Sequence, residues 1–148
     1  MNEILIAFAI LHGGYTDWCT NIANGTCKPP MVVQVVDSPF VHKTRAGWYA
    51  NGTAYVKERP AEQQHKQILE EITTVHEFTH HLQRLSGRYH NYRGICNQYL
   101  AEREAYEVGE AYARSKGYTT NYQPRVQPYK DKCEAAVAAG LVKRPNRM

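Results

Sequence analysis

Long apolar runs are almost missing from this 148-residue chain: "ILIAFAIL", Ile4 to Leu11, is the only one. It falls well short of the roughly 20 residues a bilayer-spanning helix needs. It is preceded by Glu3 with no Lys or Arg, and no clean small-residue cleavage pattern follows. A buried first helix is therefore expected in preference to a secretory leader or a stable membrane insertion. Clustered charge is also missing. The net charge is +4, and the basic residues are scattered outside the tail "KRPNRM", which argues against the one-sided basic face of a nucleic-acid binder. No two cysteines are spaced C-x2-C, which argues against a zinc ribbon. Cys19, Cys27, Cys96 and Cys133 instead permit two disulfides, with Cys19–Cys27 the local pair and Cys96–Cys133 the remaining one. Phenylalanine is scarce, 3 residues against 11 tyrosines, and that balance points to surfaces or clefts that are half wet. No internal repeat or linker divides the chain. Residues 1–148 are expected to form one domain, long enough to bury a core unaided, so that a metal site would be functional before structural. Compartment and oligomeric state stay open at this level.

What is present falls into two periodicities. "MVVQVVD", Met31 to Asp37, is β-branched and flanked by Pro30 and Pro39, and reads as a strand. "GWYANGTAYVKE" places Asn51-Gly52 between two runs of β-formers, a hairpin signal that explains Asn51 by turn geometry and not by glycosylation. From Pro60 to Leu85 the pattern turns helical, with Ile68, Leu69, Ile72, Val75, Phe78, Leu82 and Leu85 at three- and four-residue steps, Pro60 as first helical position and Gly87 as the stop. A second helix is expected over Ile95 to Lys116, ended by Gly117. A tyrosine- and proline-rich connection then leads to a short alanine-rich helix at about Lys132 to Leu141.

The chemistry concentrates in "VHEFTHHLQ", Val75 to Gln83. Residues four apart share a helix face, so His76 and His80 can present both imidazoles to one ion, while Glu77, turned aside by about a third of a turn, stands beside the ion as a base for a bound water. A third ligand is needed, and the second helix offers Glu102, Glu104, Glu107 and Glu110. At about 100° per residue, Glu102 falls in the stripe of Ile95, Tyr99, Tyr106 and Ala113, where an unpartnered carboxylate is costly and a divalent cation offsets the cost. Glu104 points nearly the opposite way, and Glu104, Glu107 and Glu110 are expected on a solvated face. His81 is expected to turn from the metal, and Gln83, seven residues after His76, to brace the site. Tyr89, His90, Tyr92 and Arg93 are candidates for lining the cleft, none singled out as catalytic.

"HEFTHHLQ" on one helix and "EREAY" on the next resemble the gluzincin branch of zinc metallopeptidases, and in particular small bacterial and phage-associated proteins with H-E-x-x-H-H-L-Q and E-x-x-A-Y. The resemblance covers about Ala46 to Tyr112. It implies a minimal zincin-like α+β domain: a small sheet with a hairpin, packed on an N-terminal helix, the HExxH helix and a following Glu-bearing helix. It implies Zn2+ held by His76, His80 and Glu102, with Glu77 as the general base in hydrolysis of a peptide or protein substrate. It also implies a strand edge beside the zinc helix that pairs with extended substrate, for which Gly52 to Lys57 is the candidate. Larger gluzincins often carry Asp or Asn where this chain has Tyr106, which would offer a hydrogen bond behind the ligands. The alternative is a non-catalytic zinc-binding regulatory or protein-interaction domain, against which Glu77 counts, because a structural site has no use for a glutamate outside the ligand set.

Overall fold

The computed structural model describes residues 31–35, as backbone, and 46–146. The first helix at Ile4 to Leu11, the Cys19–Cys27 pair and the end of the first strand at Asp37 lie outside the described residues. Among the described residues three strands form one mixed sheet: β1 (Met31–Val35), β2 (Gly47–Ala50) and β3 (Thr53–Lys57), in the order β1-β3-β2. β2 and β3 are the expected hairpin. Asn51 at φ 50° and Gly52 at φ 80° give the two successive left-handed residues that a tight two-residue turn requires. The antiparallel register sets Trp48 opposite Tyr55, and their rings stack with centroids 5.0 Å apart. β1 runs parallel to the other side of β3, Met31 opposite Thr53 through Val35 opposite Lys57.

Among the described residues three helices join the sheet in an α+β fold: α1 (Lys66–Ser86), α2 (Ile95–Ser115) and α3 (Gln123–Ala138), with a 3-10 turn at Arg88–Tyr92 between the first two. The sheet packs on α1, with Ala54 and Val56 of β3 buried, and Val75, Phe78 and Leu82 of α1 are buried as well. α1 begins six residues later than its hydrophobic period suggests. Pro60 opens a turn, its carbonyl accepting from the Gln63 N–H at 3.0 Å, and the helix starts after His65, at φ 62°. At the other end Gly87 adopts φ 67° and closes the helix as expected, leaving Leu85 at the exposed rim.

α2 lies against α1 by a row of small residues, Ala101, Ala105 and Gly109, all buried and four apart. A Cβ on Gly109 would stand 3.4 Å from the Ile72 side chain, so the two helix surfaces meet in van der Waals contact. α3 corrects the expected boundaries: the proline-rich connection is itself helical from Gln123. Pro124 sits in the first turn, where no intrahelical N–H is needed, and Pro128 lies inside the helix. The lost hydrogen bond there is offset by burial of Val126 and Cys133 against Cys96, Tyr99 and Leu100 of α2, and by the Cys96–Cys133 disulfide. A crosslink closing a loop of 37 residues is worth about 2–4 kcal/mol. Among the described residues no helix is long and apolar enough to cross a membrane.

Candidate metal centre

Thr74 to Gln83 is buried on every side of α1, although the segment carries three histidines, a glutamate and a glutamine. Such a helix is stable only if each polar group finds a partner. The threonines satisfy themselves by bonding back one turn: Thr74 Oγ1 donates to the Glu70 carbonyl and Thr79 Oγ1 to the Val75 carbonyl, each at 2.8 Å. His81 turns to the sheet, its Nδ1 2.8 Å from the Tyr49 hydroxyl, and so away from the other two histidines as expected.

His76 and His80 face α2 together, and Glu102 reaches them across the small-residue row. His76 Nε2 lies 3.1 Å from Glu102 Oε2, His80 Nε2 lies 3.2 Å from Glu102 Oε1, and the two Nε2 atoms are 3.2 Å apart. These three residues are a group that could hold a metal ion. A tetrahedral ion with arms of about 2.0–2.1 Å has edges of about 3.3–3.4 Å, so the observed separations fit one, and a donor set of two imidazoles and one carboxylate is that of hydrolytic zinc sites. The electrostatics agree with the geometry. Burial opposes protonation of His80, but the hydrogen bond and charge of Glu102, with Glu77 behind, push it up to about 9. Burial would raise Glu102, yet its bonds to His76 and His80 hold it well below the usual carboxylate range. The cluster thus keeps its carboxylate ionised and demands positive charge.

Glu77 stands beside this group without entering it. Its Oε1 is 3.8 Å from His76 Nε2, and its side chain is 7% exposed. Gln83 braces the site, by a route the sequence only hinted at. Its Nε2 donates to the Ala101 carbonyl and to Glu104 Oε1, both at 3.1 Å, which fixes the amide so that Oε1 faces His80 Nδ1 at 2.9 Å. Gln83 Oε1 then accepts from the Nδ1–H, which leaves Nε2 as the ring nitrogen facing Glu102. Nε2 donates to the carboxylate while the imidazole is charged, and would face an ion once that proton is displaced. Glu104 is correspondingly not on a solvated face: Tyr89 and Arg88 both donate to its Oε2 at 3.1 Å. The missed signal was the basic and aromatic content of "GRYHNY", whose turn folds back over α2.

Tyr92 is the second residue that helical-face reasoning could not single out. Its hydroxyl donates to Gln83 Oε1 at 2.8 Å or to the His80 carbonyl at 3.1 Å, and lies 3.1 Å from His80 Nδ1. These contacts hold it at φ 65°, a left-handed conformation that costs a non-glycine residue about 1–2 kcal/mol. Burial, then Glu102 and Glu77, raise its hydroxyl far above the ordinary tyrosine range, so it stays a neutral donor. Tyr106 contacts the site with its ring, edge-on to His76 at 4.3 Å, and stacks on Tyr122 at 6.2 Å. Arg93 and His90 are exposed and do not line the site.

The group opens on a cleft of about 730 Å³, walled by β2 on one side and by the start of α3 on the other. β3, expected to offer an edge to substrate, cannot do so: it is the middle strand, paired on both sides. β2 takes that place, since Gly47, Trp48 and Tyr49 line the cleft and its outer edge has no strand partner among the described residues. Gly47 makes the approach possible. A Cβ there would meet Thr73 Cγ2 at 2.6 Å and the Tyr55 carbonyl oxygen at 2.7 Å, with Glu77 Cγ at 3.4 Å. No protein-family model, curated protein or solved structure matches the chain, so the likeness to gluzincins rests on these residues and their arrangement.

Proposed function

We propose that this protein is a zinc-dependent peptidase whose metal is held by His76, His80 and Glu102 and whose general base is Glu77. The observation that carries the reading is a buried carboxylate standing 3.8 Å from His76 Nε2 yet outside the three-donor group, at the wall of an open cleft. A purely structural metal site has closed coordination and no use for such a neighbour. When bound, zinc supplies Lewis acidity, polarising a carbonyl and acidifying a water. The protein's own residues do the rest. His76, His80 and Glu102 supply three donors from two packed helices, and Gln83 with Tyr92 fixes the His80 ring. The outer edge of β2 pairs with an extended peptide backbone and lays its carbonyl beside Glu77. Glu77 accepts the proton of the attacking water and passes it to the departing amine.

Glu77→Gln keeps the size of the side chain and removes the base. The variant is expected to retain one equivalent of zinc and the wild-type circular dichroism while losing hydrolysis by at least about 10²–10⁴-fold. Activity is read by mass spectrometry of a diverse peptide library incubated with the zinc-loaded protein. Equal cleavage by both proteins would assign the activity elsewhere. Stoichiometric zinc with no cleaved peptide across the library would favour the regulatory, non-catalytic reading.

A further inference from the structure

The cleft continues past the three metal-binding candidates, reaching Arg59 just after β3 and the first turns of α3. Among the described residues, five charged side chains line it besides the histidines: Arg59, Glu77, Glu102, Glu110 and Arg125. The acids are already engaged, Glu102 with both histidines, Glu77 beside His76, Glu110 with Arg114. Arg59 and Arg125 are the two cations. Among the described residues no carboxylate lies within ion-pair distance of either. The charge of Arg125 acts on the hydroxyl of Tyr106, whose ring is the one against His76, so the guanidinium shares the wall that reaches the candidate metal group. Tyr122, Pro124 and Arg125 place the N-terminal end of the 16-residue α3 on the same wall, adding the positive end of its dipole. Burial and the charge of Arg125 both weaken the hold of Arg59 on its proton, offset in part by Glu70 and Tyr118. Two like charges thus face one partly desolvated space.

We propose that Arg59 and Arg125 form a carboxylate-binding subsite of this cleft, so that the peptides it accepts carry a carboxylate near the scissile bond. The proposal rests on the peptidase reading for its substrate class. Two planar guanidinium forks match a carboxylate by paired, charge-assisted hydrogen bonds, and an anion between them relieves their repulsion. The carboxylate comes from a chain terminus or from an Asp or Glu side chain, and both present the same chemistry.

The test is a titration of the zinc-loaded, 15N-labelled protein, following the arginine Nε–Hε resonances, with three probes. N-acetylglycinate has a terminal carboxylate, N-acetylglutamate α-amide has only the side-chain carboxylate, and N-acetylglycinamide has none. The Arg59 and Arg125 signals are expected to move together with at least one carboxylate probe. That probe should bind about tenfold or more tightly than the amide. Arg59→Gln or Arg125→Gln should each lower that affinity about tenfold, with Lys at either position restoring part of it. The carboxylate probe that binds more tightly identifies the source. Equal response to the amide, or movement of all arginines alike, overturns the subsite. Because the readout is binding and not turnover, this outcome is independent of whether Glu77 is a base. Matched libraries ending in carboxylate or carboxamide then read the same preference in cleavage by the wild-type protein.

Discussion

At the scale of single residues, the chemistry of His80 is decided by a chain of hydrogen bonds that begins outside the site. Arg88 and Tyr89 hold Glu104, Glu104 and the Ala101 carbonyl hold the Gln83 amide, and Gln83 holds His80 Nδ1. The effect of cutting the chain should fade with distance from the ligand. His80→Ala removes a donor and is expected to abolish zinc binding in metal analysis after gel filtration. Gln83→Ala leaves the donors in place but frees the ring, and should weaken zinc by about 10–100-fold in competition with a chromogenic chelator. Glu104→Ala should keep the metal at full stoichiometry, since Ala101 still orients the amide. Loss of zinc on removing Glu104 and not Glu102 would reverse the assignment of α2.

At the scale of elements, two close approaches make the site. The row Ala101, Ala105, Gly109 lets α2 lie near enough for a glutamate to reach two histidines on α1, and Gly47 lets β2 lie against the same helix. The Gly47 contact is the tighter one, and one of its neighbours is a backbone oxygen that cannot rotate away. Gly47→Ala should therefore displace the strand from Thr73 and Glu77 and lower stability by about 1–3 kcal/mol in urea unfolding. If Gly47 served only flexibility, the change would be neutral or mildly stabilising, and the strand's role at the cleft would have to be given up.

At the scale of the whole molecule, the three donors join α1 to α2, while apolar side chains are buried apart from them: Val75, Phe78 and Leu82 on α1, Tyr99, Leu100 and Val126 between α2 and α3. Metal removal should consequently loosen the protein without unfolding it. With free zinc at about a thousand times its dissociation constant, binding adds about 4 kcal/mol, so a strong chelator should lower Tm by on the order of 10 °C. Helical circular dichroism at 25 °C should survive. A Tm indifferent to the chelator would mean that no ion sits in this group.

The motif, its helix and its partner were legible in the sequence because they depend on local rules. Residues four apart share a face whatever surrounds them, Asn51-Gly52 turns by its own backbone preferences, and a carboxylate in an apolar stripe, Glu102, declares that it needs a partner, which His76 and His80 supply. Helix ends were less legible where short-range signals competed: Pro60 suits a first helical turn and an ordinary turn alike, and Pro128 breaks a helix unless burial and a disulfide hold it, as they do here. Only the tertiary structure could decide that β3 is enclosed and β2 is the edge, that Glu104 is drawn inward by the turn after α1, and that Arg59 and Arg125, far apart in the chain, share one cleft. Each of these depends on which surfaces meet, and strand order, helix crossing and the return of a loop are set by packing among distant segments, on which local periodicity has no bearing.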